Sequence, residues 1–254
     1  MRSEQIVYGI HPILEMLHSG RAISRLYVAL QRDDATAGQI AILAKQQRIA
    51  LQLVHKEALS RMTGTTKHQG VAAMIAPKKY HDLAELLSIA EVRKEPPFLL
   101  LLDCVEDPRN LGAIFRVAEG AGVHGVIFPK QRAAGLSPAV SKASAGADAH
   151  LPLAHVTNLG QAIDQLKKEA ILIVGLCADA PQSYWQADFT GGIAIVAGGE
   201  ENGMHQKIRE RCDQMVALPM RGIIESLNVS VAVGIVAYEV LRQRERQHLK
   251  SSSF

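Results

Sequence analysis

The sequence predicts an α/β protein, with a largely parallel sheet in its larger C-terminal part and a small α/β unit in front of it. Three observations lead there. From Phe98 onward the short apolar runs Phe98–Leu102, Val123–Phe128, Ile171–Leu176 and Ile193–Ala197 lack polar alternation, as strands do when both faces are covered. Helical segments separate these runs, which is the order of a parallel sheet with crossover helices. The first 76 residues instead alternate shorter helix-like and strand-like pieces. With 254 residues, 48% of them hydrophobic, the chain can bury a substantial core, enough for one large domain or two ordinary ones.

Taken in order, a helix is expected around Pro12–Leu17, a strand at Leu26–Leu30, a helix near Thr36–Gln47, and strands at Ala50–Val54 and Gly70–Ile75. Pro77-Lys-Lys-Tyr-His, a polar helical stretch Leu83–Val92 and Arg93-Lys-Glu-Pro-Pro97 read as a linker punctuated by prolines. The expected division is therefore residues 1–76, a linker over 77–97, and a second domain over 98–254. In sheets of the kind expected there, ligands bind outside the carboxyl ends of the strands. Asp103, Gly198 and Met220 each follow a strand end, so the segments that carry them could meet at one edge.

Composition narrows the function classes. The longest apolar stretches fall well short of the roughly 20 residues that span a bilayer, and the first residues lack the apolar run of a signal peptide. No membrane role is expected. Three cysteines, Cys104, Cys177 and Cys212, are far apart and odd in number, which fits a reducing cytoplasm, no disulfide framework and no structural metal. The net charge is only +3, but through Ala76 nine Lys and Arg face five Asp and Glu, against 15 and 16 from Phe98 onward. The positive excess thus lies in the N-terminal part, where it suits phosphate contact or a plain solvated surface.

Gly120-Ala-Gly122-Val-His-Gly125 matches the G-x-G-x-x-G dinucleotide fingerprint in letters. Its context is reversed: the helical run Leu111–Glu119 precedes the glycines and a strand follows, whereas the fingerprint needs strand, turn and then helix. These glycines are expected to end a helix and turn into a strand. That weighs against a nicotinamide-dependent oxidoreductase.

Three other segments set polar groups at element ends. In Leu102-Asp103-Cys-Val-Glu-Asp107-Pro-Arg-Asn110-Leu-Gly112-Ala-Ile-Phe-Arg116, Asn110 suits a helix N-cap and Arg116 a snorkelling surface residue. In Ala197-Gly198-Gly-Glu200-Glu-Asn-Gly203-Met204 a strand enters a Gly-Gly turn before a helix from about Met204; such glycines let backbone approach a ligand closely, and Glu200 would gain from the helix dipole. In Leu218-Pro-Met220-Arg-Gly-Ile-Ile-Glu225-Ser226-Leu227-Asn228 the polar pair Ser226 and Asn228 opens a long apolar helix, with Ser226 as its expected cap. Buried polar caps cost about 1–3 kcal/mol each unless satisfied, and a ligand or catalytic task is one way to satisfy them.

Together and in this order, the three segments resemble the motifs of the SpoU/TrmH family of RNA ribose 2′-O-methyltransferases. Tyr8-Gly-Ile-His11-Pro and Lys67-His68-Gln69-Gly70-Val71 further resemble the ribosomal-protein-like RNA-binding extension of the bacterial members that methylate a guanosine ribose of large-subunit rRNA. By itself, His68 reads as an ordinary surface histidine of a polar loop. The resemblance spans essentially the whole chain and departs from the usual Gly-Ala-Glu pattern at Gly199 and at the extra acid Glu201.

The resemblance implies a SPOUT-type deep trefoil knot, with Leu218–Arg242 threaded to form the site, behind an N-terminal RNA-binding domain. It implies S-adenosyl-L-methionine as cofactor, held by Gly198, Leu218, Met220 and Leu227, and a catalytic set of Asn110, Arg116, Glu200, Ser226 and Asn228. It also implies a cytoplasmic homodimer acting without metal on 23S rRNA or its assembly intermediate, in the peptidyl-transferase P-loop region. Because no histidine stands in the three segments, Arg116, aided by an RNA phosphate, is the expected means of easing proton loss from the ribose hydroxyl. A tRNA-directed relative and a non-catalytic RNA-binding relative are the alternatives.

Overall fold

The computed structural model describes residues 5–18, 23–30, 34–75, 80–130, 136–200 and 203–251. The chain forms two compact units, Met1–Lys79 and Tyr80–Phe254. The first runs β1 (Gln5–Tyr8), α1 (Ile10–His18), β2 (Ile23–Ala29), α2 (Ala35–Gln46), β3 (Leu51–Val54), α3 (Lys56–Thr63) and β4 (Val71–Ile75). Its sheet has the order β1-β4-β2-β3, in which β2 and β3 are parallel and β4 is antiparallel to both β1 and β2.

Alternation along β2 divides this unit into two cores. Leu26 and Val28 pack with Ile13, Leu17 and Ile40 of α1 and α2, while Tyr27 and Ala29 pack with Leu59 of α3, as the period of two requires. The five expected elements are present within a few residues. The sequence marks neither β1 nor α3: four residues of strand leave little periodic signal, and α3, though amphipathic, is short and polar in composition, with Leu59 as its buried residue.

His68 corrects a sequence expectation: it is fully buried. Its Nδ1 accepts from the Gly70 N–H at 3.0 Å, and its Nε2 lies 3.1 Å from Ser60 Oγ, which itself donates to the Lys56 carbonyl. The ring thus pins the β4 entry to α3. Burial and the nearby Lys56 charge lower its pKa from the ordinary 6.5, so a neutral ring that accepts at Nδ1 and donates at Nε2 satisfies the site.

The second unit runs α4 (Leu83–Arg93), β5 (Phe98–Asp103), α5 (Pro108–Gly120), β6 (Gly125–Pro129), α6 (Pro138–Ala143), α7 (Ala147–His150), β7 (Leu153–Val156), α8 (Leu159–Lys168), β8 (Leu172–Leu176), β9 (Gln182–Ser183), a 3₁₀ turn Tyr184–Gln186, β10 (Ile193–Gly198), α9 (Gln206–Arg209), β11 (Gln214–Ala217) and α10 (Val229–Ser251). The strands form one sheet in the order β7-β6-β5-β10-β8-β11-β9, and every pairing is parallel. β5 is buried along its whole length. Phe98, Leu100 and Leu102 face the α5 and α10 side, whereas Leu99 and Leu101 face α4 and α8, so both faces are covered as the unbroken apolar run predicts.

The unit begins at Tyr80, so the described part of the segment expected as linker is integral to it. In α4, Leu86 and Ala90 are fully buried, with Leu83 and Leu87 packed beside them. This stripe recurs at helical spacing, while the outer face mixes Ser88, Glu91 and Arg93 with Ala84 and Val92. The glycine turn behaves as expected: α5 ends at Gly120, Gly122 takes φ of 73° and β6 follows. In α5 itself, Leu111, Ile114, Phe115 and Ala118 form a buried stripe, of which the large side chains contribute about 1.5–3 kcal/mol each.

Candidate active site

The carboxyl ends of β5 and β10 lie side by side, with Gly198 in register with Asp103. Beyond Gly198 the chain doubles back through a bridge between Gly199 and Gly203, where the Gly203 N–H donates to the Gly199 carbonyl at 3.0 Å. A Cβ on Gly198 would lie 2.2 Å from Gly203 C and Met204 N, and one on Gly199 would lie 2.1 Å from the Cys104 carbonyl oxygen. Both positions therefore require glycine for close backbone approach. Glu201 and Asn202 lie outside the described residues.

Asn110 is not the cap expected from sequence. Helix α5 starts at Pro108, and the Asp107 carboxylate accepts the Arg109 N–H at 2.8 Å as the true N-cap, with proline at the first helical position where no donor is needed. That releases Asn110 for another task. Its amide N–H donates to Glu200 Oε1, and its Oδ1 accepts from Asn228 Nδ2 at 3.0 Å. Asn228 in turn accepts from the Ser230 N–H at 2.9 Å and from Ser230 Oγ. One hydrogen-bond chain thus joins all three polar segments.

Two further expectations change. α10 begins at Val229, so Ser226 lies outside the helix and Asn228 satisfies its first turn. The expected helix from Met204 is the single turn α9, and the carboxylate serving the amide just before it is Asp103, whose Oδ2 accepts from His205 N at 2.7 Å, rather than Glu200.

A cavity of about 500 Å³ opens at these strand ends. Gly198, Glu200, Leu218, Met220, Ser226, Leu227 and Asn228 all line it, and Asn110 reaches its polar edge through Glu200 and Asn228. Arg116 is not among the lining residues; it is exposed on α5. Leu176, Cys177 and Ala178, which lie in none of the three polar segments, add a further wall at the end of β8. The same strand-end rule that singled out Asp103 and Gly198 would have found them. Burial, followed by the bond to Asp179, pushes the Cys177 thiol up, so it is a protonated, unreactive wall at neutral pH.

A parallel α/β sheet whose strand-end loops close on one apolar-walled, polar-edged cavity defines a small-molecule-binding α/β protein with a separate α/β unit attached. Residues 97–238 match the SpoU rRNA Methylase family, and residues 6–81 match the RNA 2′-O ribose methyltransferase substrate binding family. The chain is 42% identical to the 23S rRNA (guanosine-2′-O-)-methyltransferase RlmB of Nitrosomonas europaea, over 97% of this chain and 95% of that one. It is 37% identical to the RlmB of Escherichia coli K12, over 94% and 99%. Among solved structures, the SpoU methyltransferase AviRb from Streptomyces viridochromogenes, in complex with the cofactor AdoMet, superposes with a TM-score of 0.77 at 25% identity, covering 96% of this chain and 91% of that one. The chain belongs to the SpoU rRNA methylase family.

Proposed function

We propose that this protein transfers a methyl group from S-adenosylmethionine to the 2′-hydroxyl of a guanosine ribose in 23S rRNA, in the peptidyl-transferase P-loop region. The observation that carries the reading is the bonded chain Glu200–Asn110–Asn228, drawn from three distant segments to the edge of one cavity. The 23S rRNA guanosine activity named for the relatives, over nearly full length, supports the substrate.

The cavity suits the cofactor. Leu176, Val216, Leu218, Met220 and Leu227 offer apolar walls, and the glycine turn at Gly198 and Gly199 brings backbone close. Gly198, Leu218, Met220 and Leu227 would hold it. The chemistry the cofactor supplies when bound is a methyl group on a positively charged sulfur that leaves as a neutral thioether. Glu200, Ser226 and Asn228 orient the ribose, and Asn110 fixes Glu200 against Asn228. Such positioning is worth up to about 7–11 kcal/mol in favourable cases. Arg116, exposed on α5, holds an RNA phosphate and eases loss of the hydroxyl proton.

In this reading the Leu218–Arg242 segment forms the trefoil knot, and the first unit, which carries the N-terminal excess of basic residues, holds RNA. The protein works as a cytoplasmic homodimer without need of metal for methyl transfer. Leu227, Val231, Ile235 and Tyr238 are exposed at intervals of one helical turn along α10 and its approach, a stripe that a second copy would cover. Sedimentation at micromolar concentration is expected to give a dimer, and a monomer there would count against this assembly.

The test of function is methyl transfer from labelled S-adenosylmethionine to unmodified rRNA, tRNA and ribosomal particles, with ribose products mapped by nucleotide. The expected product is 2′-O-methylguanosine confined to large-subunit rRNA. Product on tRNA alone would move the substrate, and cofactor binding without product on any RNA would mark a non-catalytic binding protein.

A further inference from the structure

Asp103 ends β5, and Cys104 follows it with φ of 60°, a left-handed conformation uncommon for a residue with a side chain. His205 lies against both. Its Nδ1 is 2.9 Å from Asp103 Oδ1 and 3.5 Å from Cys104 Sγ, and one donor atom from each of the three residues falls within 4.8 Å of the others. They face a second cavity of about 800 Å³, bounded also by Thr157, Lys207 and Arg211. Among the described residues it shares no lining residue with the first cavity.

The geometry points to a zinc-class divalent metal site formed by Cys104 Sγ, His205 Nδ1 and Asp103 Oδ1, with water from the cavity in the fourth position. A tetrahedral ion with Zn–S of about 2.3 Å and Zn–N of about 2.0–2.1 Å separates sulfur from nitrogen by about 3.5 Å, the spacing already present. The corresponding nitrogen-to-oxygen edge is about 3.3 Å, so the ring must withdraw slightly from Asp103. The His205 side chain, 50% exposed, has room to do so, while the Asp103 side chain, at 6%, is fixed. The His205 N–H holds Asp103 Oδ2 at 2.7 Å and so presents Oδ1, as an outer-shell bond to a ligating carboxylate does.

Thiolate, imidazole and carboxylate form a donor set suited to zinc and its borderline neighbours rather than to magnesium or calcium. Two anionic ligands offset the ion's charge. Of the two cations on the cavity wall, Arg211 is already paired with Asp164 at 3.3 Å. Cys104 also presents its carbonyl to Gly199, so this site and the first cavity lie against the same pair of turns.

The test is titration of the reduced, metal-free full chain with Co²⁺, read by the sulfur-to-cobalt charge-transfer band in the near ultraviolet. The expected result is a band that saturates at one equivalent and is lost on adding Zn²⁺. Cys104→Ser should abolish it, His205→Ala should weaken binding at least about tenfold, and Cys177→Ser should change neither, with circular dichroism reporting that each variant is folded. Absence of the band in the parent protein, or its survival in Cys104→Ser, would overturn the site and leave a hydrogen-bonded Asp–His–Cys cluster.

Discussion

Asn110 makes two side-chain bonds whose loss should be felt in catalysis before stability, because its partners Glu200 and Asn228 are exposed and can rehydrate. Removing both, one of them to a charged partner, corresponds to about 1–3 kcal/mol, so Asn110→Ala is expected to lower kcat/KM about 10- to 100-fold with little change in Tm. Arg116→Ala should lower kcat with saturating RNA while leaving cofactor affinity intact, because Arg116 is absent from the cavity wall. Normal turnover in that variant would remove Arg116 from the mechanism. The sequence placed the helix cap at Asn110 because asparagine there fits the general preference, yet Asp107 followed by proline fits it better. The burial of His68 is hidden for a related reason: a polar loop letter says nothing of the core that folds over it, and Ser60 and Gly70 become its partners only in three dimensions.

Among the elements, α10 is anchored by Arg244 near its end. The guanidinium donates to the carbonyls of Pro96, Pro97, Phe189 and Gly191 at 2.7–3.3 Å and lies 5.4 Å from the Phe98 ring centre. It thereby ties the helix to the amino ends of β5 and β10. Arg244→Ala would leave the part-buried carbonyls of Pro96 and Phe189 without this donor, while that of Pro97 keeps the Ile193 N–H, and is expected to destabilise the protein by about 2–4 kcal/mol, read as a lower denaturant midpoint. Arg244→Lys should recover little, because an ammonium lacks the planar fork. A midpoint unchanged in the alanine variant would show that water replaces the clamp. None of this was legible in the sequence, where Arg244 sits in an unremarkable charged run. The α4 helix was legible as a helix but not as part of the sheet's cover, because its buried stripe is short and apolar Val92 lies on its exposed side.

For the molecule as a whole, the apolar strand runs announced a sheet covered on both faces but could not order it. Hydrophobicity identifies a buried strand without naming its neighbours, so the insertion of β10 between β5 and β8 emerges only from the structure. The same limit hid the approach of His205 to Asp103 and Cys104, which lie about a hundred residues earlier in the chain. Across both units His68, His124 and His155 have pKa values held below 6.5, with burial the leading cause in each. As pH falls through 6.5 the unfolded chain takes up these protons before the folded one, so stability is fully present above that value and declines below it. Thermal midpoints should therefore be level above pH 6.5 and drop toward about pH 5, and a flat profile over that range would contradict the assignment.

The strand order also sets a timetable for synthesis. Phe98 of β5 pairs with Ile193 of β10, so one side of β5 must wait while the intervening chain is made. At the usual pace of about 5–20 residues per second that wait is on the order of 5–20 s. Throughout it, an almost wholly apolar strand presents an open edge to the nascent chain's surroundings, which makes the slowing of translation between these two strands a direct route to aggregation.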